Sequence, residues 1–198
     1  MLADRLGCSP PTITGQLKKL ANLHWVIYQP YRGVSLTNTG RAIALEVIRH
    51  HRLIETYLAQ ALGIPWDRVH EEAEKMEHAL SEYLEERIDE LLGHPSVDPH
   101  GAPIPSRDGV IRDANRLRLV DLPAGAIAEI VEVNDRDPNF LIHLDRLNLH
   151  SGTQFEVLSV EPIDGLITIR AFSQVHTLGQ TSASRILVKP VERNNHEE

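Results

Sequence analysis

The sequence predicts an α+β protein in which a helical front part, interrupted by one short hairpin, precedes a small β domain. Three observations carry that expectation. Apolar residues recur at helical spacing through most of the first 92 positions; four prolines (Pro95, Pro99, Pro103, Pro105) crowd the next stretch; and Val, Ile and Leu then cluster in short runs between turn signals. The expected units are residues 1–38, 39–93, a proline-rich linker at 94–118, a β domain at 119–192 and a tail at 193–198.

At the front, Leu2-Ala3-Asp4-Arg5-Leu6 reads as helix and Gly7 as its left-handed stop. Ser9 then caps a second helix, and Pro10 suits its first position, where a missing N–H loses no partner. Ile13, Leu17 and Leu20 make an inner face, which leaves Thr12, Thr14, Gln16 and Lys18 or Lys19 outward. Helix, tight turn and helix with a polar outer face is helix-turn-helix logic. Such a face can enter a major groove, hydroxyls and amides meeting base edges while lysines meet phosphates. Ser9, Pro11, Thr12, Thr14, Gln16 and Lys18 are the candidate DNA-facing residues on this reading. Two β-branched and aromatic runs, 25–28 and 34–37, flank Gln29-Pro30-Tyr31-Arg32-Gly33 and form a wing. Arg32 at its tip is a further candidate, although exposed turn arginines without a role are equally common.

Thr37 or Thr39 caps a helix expected over 40–62, which Gly63-Ile64-Pro65 ends. A second long helix is expected over 67–92, opened by Asp67, with Val69, Ala73, Met76, Leu80, Leu84, Ile88 and Leu91 as its stripe. That stripe is long enough to pack inside the domain near its start and against a second copy near its end, so a homodimer is expected. The plainer alternative is one intramolecular helix pair. The linker reads as extended, with His94 and His100 facing solvent. Beyond it, strands are expected at 126–133, 154–160, 166–172 and 185–189 and one helix at 137–147, a pattern that suits a small barrel. The tail at 194–198 reads as disordered.

Charge is unevenly spread. The chain carries net −8, yet residues 1–52 hold seven Lys/Arg against two Asp/Glu, and residues 53–92 hold three against eleven. A basic end followed by an acidic segment suits polyanion contact beside cation capture. Cys8 is the single cysteine, which excludes an internal disulfide framework and a cysteine-based zinc cluster. No apolar run approaches a membrane span and no secretory leader is recognisable, so a cytoplasmic protein without membrane contact is expected. No nucleophile stands with a base in sequence context, so neither an enzyme nor a small organic substrate is expected.

The acidic segment carries the chemistry. His51 and Glu55 share one helix face, and His70, Glu74, Glu77 and His78 fall three or four apart on the next. One such His/Glu pair alone is more often a solvated face than a site. Two rows on consecutive segments shift the balance, and imidazole nitrogen mixed with carboxylate oxygen is the ligand set of a borderline-to-hard divalent ion.

Several stretches recur together in one known family: Leu2-Ala3-Asp4-Arg5-Leu6 with Ser9-Pro10-Pro11-Thr12-Ile13-Thr14, Leu36-Thr37-Asn38-Thr39-Gly40, His51-Arg52-Leu53-Ile54-Glu55, Val69-His70-Glu71-Glu72-Ala73 with Glu77-His78, and Asp98-Pro99-His100-Gly101-Ala102-Pro103-Ile104-Pro105. In them the chain resembles the metal-dependent repressors of the diphtheria toxin repressor and manganese transport regulator family. The resemblance implies a winged helix-turn-helix, a helical metal-binding and dimerisation domain, and an SH3-like (FeoA-like) barrel. It further implies that Mn(II) or Fe(II) orders a dimer for binding double-stranded operator DNA at metal-homeostasis genes. By the same resemblance His51, Glu55 and His70 match an ancillary metal site and Glu74, Glu77 and His78 a primary one, which His51 also joins in manganese-type members. Iron-type members tend to have Cys where this chain has Glu74, which favours manganese first and iron second. Asp135, Asp137 and Asn139 are the barrel residues that match further ancillary ligands. Family members also carry a helix before the position where this chain begins, which supplies another primary-site ligand, so the winged helix reads as N-terminally shortened: either its start is placed too late, the preferred reading, or the chain is a shortened form with an incomplete primary site. The alternative is a dimeric metal-binding interaction protein that does not bind DNA.

Overall fold

The computed structural model describes residues 2–111 and 115–191; the tail expected at 193–198 and residues 112–114 of the linker lie outside the described residues. Helix α1 (Leu2–Arg5) stops at Gly7, whose φ is +59°. Helix α2 (Pro10–Asn22) begins as its sequence requires, with the Ser9 side chain accepting the Thr12 N–H. Strands β1 (Val26–Gln29) and β2 (Gly33–Leu36) pair antiparallel as the wing. Helix α3 (Asn38–Leu62) then runs 25 residues, capped by Thr37 on the Gly40 N–H and closed by Gly63 in the left-handed conformation. Gly40 is obligatory here, because a Cβ on it would stand 1.8 Å from the Trp25 carbonyl oxygen. This close approach fixes the wing against the root of α3.

The second long helix expected over 67–92 is in fact two. Helix α4 (Val69–Met76) starts after Arg68 rather than at Asp67, passes into a 3-10 turn at Glu77–Ala79, and ends with Leu80 extended. Ser81 then caps a new helix α5 (Glu82–Leu91) by accepting the Leu84 N–H. The break is physical: Ser81 offers its oxygen to exposed N–H groups, so a fresh helix start competes with continuation. Ile54, Leu58, Val69 and Ala73 pack α3 on α4, and Leu53, Ile88 and Ile104 pack α3 on α5. Val47, Tyr83, Leu84 and Leu91 remain exposed, so one intramolecular helix pair does not consume the whole stripe.

The proline-rich stretch is folded rather than an open linker. The Asp98 carboxylate accepts N–H bonds from His100 and Ala102, the Ile104 N–H reaches the Ser96 carbonyl, and Val97 bridges Pro103. Arg49 and Arg52 on α3 donate to the carbonyls of Pro105 and Pro103. On the other side the Val133 N–H donates to the His100 carbonyl. Gly101, at φ +87°, lies where a Cβ would come within 2.0 Å of the Val131 oxygen. The hairpin thus joins the helical part to the β domain. His100 is fully buried in it, contrary to the solvent-facing expectation; His94 does face solvent, bonded to Asp89.

The β domain is a six-stranded antiparallel sheet in the order β3-β8-β4-β5-β6-β7. Its strands are β3 (Leu117–Arg118), β4 (Ile127–Val133), β5 (Gln154–Glu161), β6 (Leu166–Ala171), β7 (Gln174–Gly179) and β8 (Ile186–Pro190), with helices α6 (Pro138–Arg146) and α7 (Gln180–Ala183) between them. Ile130, Leu141, Leu144, Leu149, Ile167, Ile169 and Ile186 are fully or almost fully buried at its centre. Trp66, from the loop between α3 and α4, packs against that core from the helical side. No helix among the described residues is long and apolar enough to cross a membrane.

Candidate metal centre

Two α3 side chains one turn apart and the second residue of α4 converge. His51 Nε2, His70 Nδ1 and Glu55 Oε1 lie 3.0 Å from one another in all three pairings. The packing of α3 on α4 fixes this meeting, because Ile54, Leu58, Val69 and Ala73 seat the two helices beside these positions. The other His51 nitrogen, Nδ1, lies 2.7 Å from Glu77 Oε2. A carboxylate accepts, so Nδ1 carries the proton of that bond, and neutral His51 then turns the lone pair of Nε2 toward the cluster. That arrangement is how carboxylates orient metal-binding histidines. Around the edge, Glu74 Oε1 stands 3.5 Å from His70 Nε2, and Asp135 Oδ2 reaches from the β domain to 3.6 Å from His70 Nδ1.

Without an ion, protons hold these groups together. Burial works against the His51 imidazolium, but the hydrogen bonds and charges of Glu55 and Glu77 outweigh it and hold its pKa up at about 9. Burial likewise works to raise Glu55, yet the bonds from His51 and His70 and the neighbouring imidazolium charge bring it down to about 2. His70 is raised as well, first by its bond to Glu55.

A second cluster backs onto the first through the same carboxylate. His100 Nε2 lies 2.7 Å from the Trp66 carbonyl, which only accepts, so that nitrogen bears hydrogen. His100 Nδ1, Asp98 Oδ2 and the second Glu55 oxygen, Oε2, are all buried and without a hydrogen-bond partner. Donor atoms of these three residues lie within 4.8 Å of one another. Burial first, then the Glu55 charge, lifts the Asp98 carboxyl to about 7. The guanidinium of Arg52 stands 3.5 Å from it.

Residues 37–106 match the family model described as "Iron dependent repressor, metal binding and dimerisation domain", and residues 117–190 match the FeoA domain. The Diphtheria toxin repressor of Corynebacterium efficiens is 30% identical over 168 residues, covering 80% of this chain and 73% of that protein. The chain belongs to the diphtheria toxin repressor family. The Iron-dependent repressor IdeR of Mycobacterium tuberculosis is 36% identical over 140 residues, which are 66% of this chain and 60% of that protein. The chain thus matches less than two thirds of the length of the mycobacterial relatives. Among solved structures, a manganese-dependent transcriptional repressor in complex with manganese superposes with a TM-score of 0.91 at 36% identity, over 96% of this chain and 89% of that one.

The first cluster fits the metal that the family implies. Bonds of about 2.1 Å meeting at right angles put neighbouring ligand atoms about 3.0 Å apart, so His51, Glu55 and His70 are spaced as three ligands of one divalent ion would be. Two imidazoles and carboxylates without a thiolate suit such an ion. Of the matched residues, His51, Glu55 and His70 meet directly. Glu77 joins through His51, and Glu74 and Asp135 stand at the edge. His78 does not join: its side chain is 85% exposed and approaches only Glu77, at 3.7 Å. Asp137 is turned elsewhere, capping α6 and accepting from Arg185, and Asn139 is exposed with its N–H on Asp137. Sequence reasoning missed Asp98 and His100. The available signal was chemical, since a His and an Asp two apart around a proline are unusual in a mere spacer.

In α2, Thr12, Gln16 and Lys18 are exposed, as is Pro11 before them. Ser9 and Thr14 use their hydroxyls locally, Ser9 on the Thr12 N–H and Thr14 on the Pro10 carbonyl.

Proposed function

We propose that this chain is a metal-responsive, DNA-binding transcriptional repressor that acts as a homodimer and responds to Mn(II) or Fe(II). The observation that carries the reading is the convergence of His51, Glu55 and His70 at mutual distances of 3.0 Å on two helices that lie directly behind a winged helix-turn-helix. Bound there, a divalent cation would supply the positive charge that lets Glu55, Glu77 and Glu74 stay close together. His51, Glu55 and His70 would hold it, with Asp135 tying in the β domain and Glu55 Oε2, Asp98 and His100 forming an adjoining site. Glu74, Glu77 and His78 would complete the primary site once His78 swings in from solvent. The absence of a thiol from this region favours manganese over iron. The exposed Val47, Tyr83, Leu84 and Leu91 support a dimer, which would take their apolar surface out of water. In a two-fold dimer the exposed faces of α2, with Thr12, Gln16 and Lys18, and the wing with Arg32 would address two half-sites of duplex DNA.

The deciding experiment is an anaerobic titration with Mn(II) and Fe(II) that reads metal stoichiometry and binding to promoter DNA on the same sample. Metal-dependent DNA binding that Glu55→Ala abolishes while the circular-dichroism spectrum is kept is the expected result. Stoichiometric metal binding with no DNA binding at any metal concentration overturns the repressor reading in favour of a metal-binding interaction protein.

A further inference from the structure

The wing tip is built against its own folding preference. The Arg32 N–H donates to the Gln29 carbonyl across a four-residue turn with Pro30 at its second position and Tyr31 at its third. Tyr31 has φ +64°. A turn with proline second and positive φ third is type II, whose third position is the place for glycine, because a Cβ there crowds the backbone. Here it holds an aromatic side chain that is 108% exposed, so the ring packs on nothing in its own chain. A residue that strains the turn and buries no surface is not there for the fold. The surroundings point to the partner: from residue 5 to residue 45 the chain has five Lys/Arg and no Asp/Glu, within a protein of net −8.

We propose that Tyr31 is a DNA-contact residue whose ring packs on the sugar–phosphate wall of the minor groove beside the half-site, its hydroxyl donating to a phosphate oxygen. The left-handed conformation lifts the ring off the hairpin and sets it beside Arg32, so the two make an uncharged and a charged contact side by side. Such contacts position a protein on duplex DNA without reading its bases. Tyr31 therefore adds affinity to specific and non-specific duplex alike. This inference rests on the repressor reading and deepens it.

The test uses a fluorescein-labelled promoter duplex and a scrambled duplex of about 40 base pairs, with Mn(II) present, over a salt series. Tyr31→Gly is expected to bind both duplexes about fivefold to tenfold more weakly, the scale of one or two lost contacts. Its Tm should equal or exceed that of the parent, since glycine relieves the turn. The salt slope should stay unchanged for Tyr31→Gly and fall by about one for Arg32→Ala, because only the second removes a charge. Tyr31→Phe should show part of the Tyr31→Gly loss in binding, since it keeps the ring and removes the hydroxyl, and parental affinity in this variant overturns the phosphate contact. Unchanged binding by Tyr31→Gly, while Arg32→Ala weakens binding, overturns the proposal and leaves the repressor reading standing. A parent protein that binds neither duplex overturns both.

Discussion

Metal binding to this centre must displace a proton, and the size of that competition follows from the geometry. His51 can offer Nε2 to an ion only when that nitrogen is unprotonated, yet Glu55 and Glu77 hold its pKa near 9 in the metal-free protein. At pH 7 this lies about two units above the solution, so deprotonation costs about 3 kcal/mol and weakens apparent affinity about a hundredfold. The sign is fixed: a raised pKa in the metal-free form makes affinity rise with pH. The apparent association constant should climb about tenfold per pH unit between pH 6.5 and 8 and flatten as pH nears 9. Isothermal titration with Mn(II) in buffers of different ionisation enthalpy measures the same event directly, as release of about one proton or more per ion, since His70 is raised too. Affinity that does not change with pH over this range, together with no buffer dependence of the heat, would refute the assignment of His51 as a ligand. The same shifts set metal-free stability. The His51 contribution is fully present below its unfolded value of 6.5 and is lost as pH rises through about 9, and that of Glu55 is present above 4.5 and lost as pH falls toward 2. The interaction is one and is counted once, at about 3 kcal/mol. Metal-free protein should therefore be most resistant to urea between roughly pH 4.5 and 6.5 as far as this cluster decides.

Two further substitutions test the fold that carries the centre. Gly101→Ala would set a Cβ about 2.0 Å from the Val131 carbonyl at a positive φ. It should cost at least about 3 kcal/mol in urea unfolding and free the proline-rich hairpin from β4, read as a change in the emission of Trp66, which stacks on His100. Ser81→Ala removes the cap of α5 and should lower stability by about 1 kcal/mol with the metal stoichiometry unchanged, because the bond it removes is the one from the Leu84 N–H.

The helix-turn-helix, wing and long α3 were legible because local signals fix them: Ser9, Pro10 and Thr37 act through their side chains, and Gly7 and Gly63 through the lack of one. The break between α4 and α5 was hidden because the apolar period runs on through Met76 and Leu80 while the backbone does not. Strand β7 escaped notice for a different reason. Its hairpin to β6 turns on Phe172 and Ser173, both at positive φ, where Asn-Gly is the usual signal. His51, Glu55 and His70 were readable because helical spacing is local and the facing helix follows closely. Asp98 and His100 were not, because their burial depends on α3 and β4, far away in sequence. Asp137 was misread for the same reason, its partner Arg185 being supplied by a distant strand start.

The surroundings of Glu55 show how a fully buried carboxylate is tolerated at the centre of the fold. A carboxylate with no exposed surface is costly to bury unless it is paired, and the penalty in proteins reaches several kcal/mol. Here the pairing comes from the imidazoles of His51 and His70 on one oxygen, with Asp98 and His100 facing the other, unbonded one. Ile54, Leu58, Val69 and Ala73 pack α3 on α4 beside these groups, so apolar contact as well as charge holds the donors in place. A structural zinc site behaves otherwise, since its ligands have no order until the ion arrives and binding energy becomes folding energy. Where packing of the helices already seats the ligands, that energy is available for smaller rearrangements. The groups left outside are His78, exposed and loosely held by Glu77, and the edge carboxylates Glu74 and Asp135. Glu74 lies near the end of α4 and His78 inside the 3-10 turn that follows it, and Asp135 belongs to the β domain. Drawing them inward would move those two junctions and leave the core of α3 in place, which is the selectivity of movement that a sensor requires.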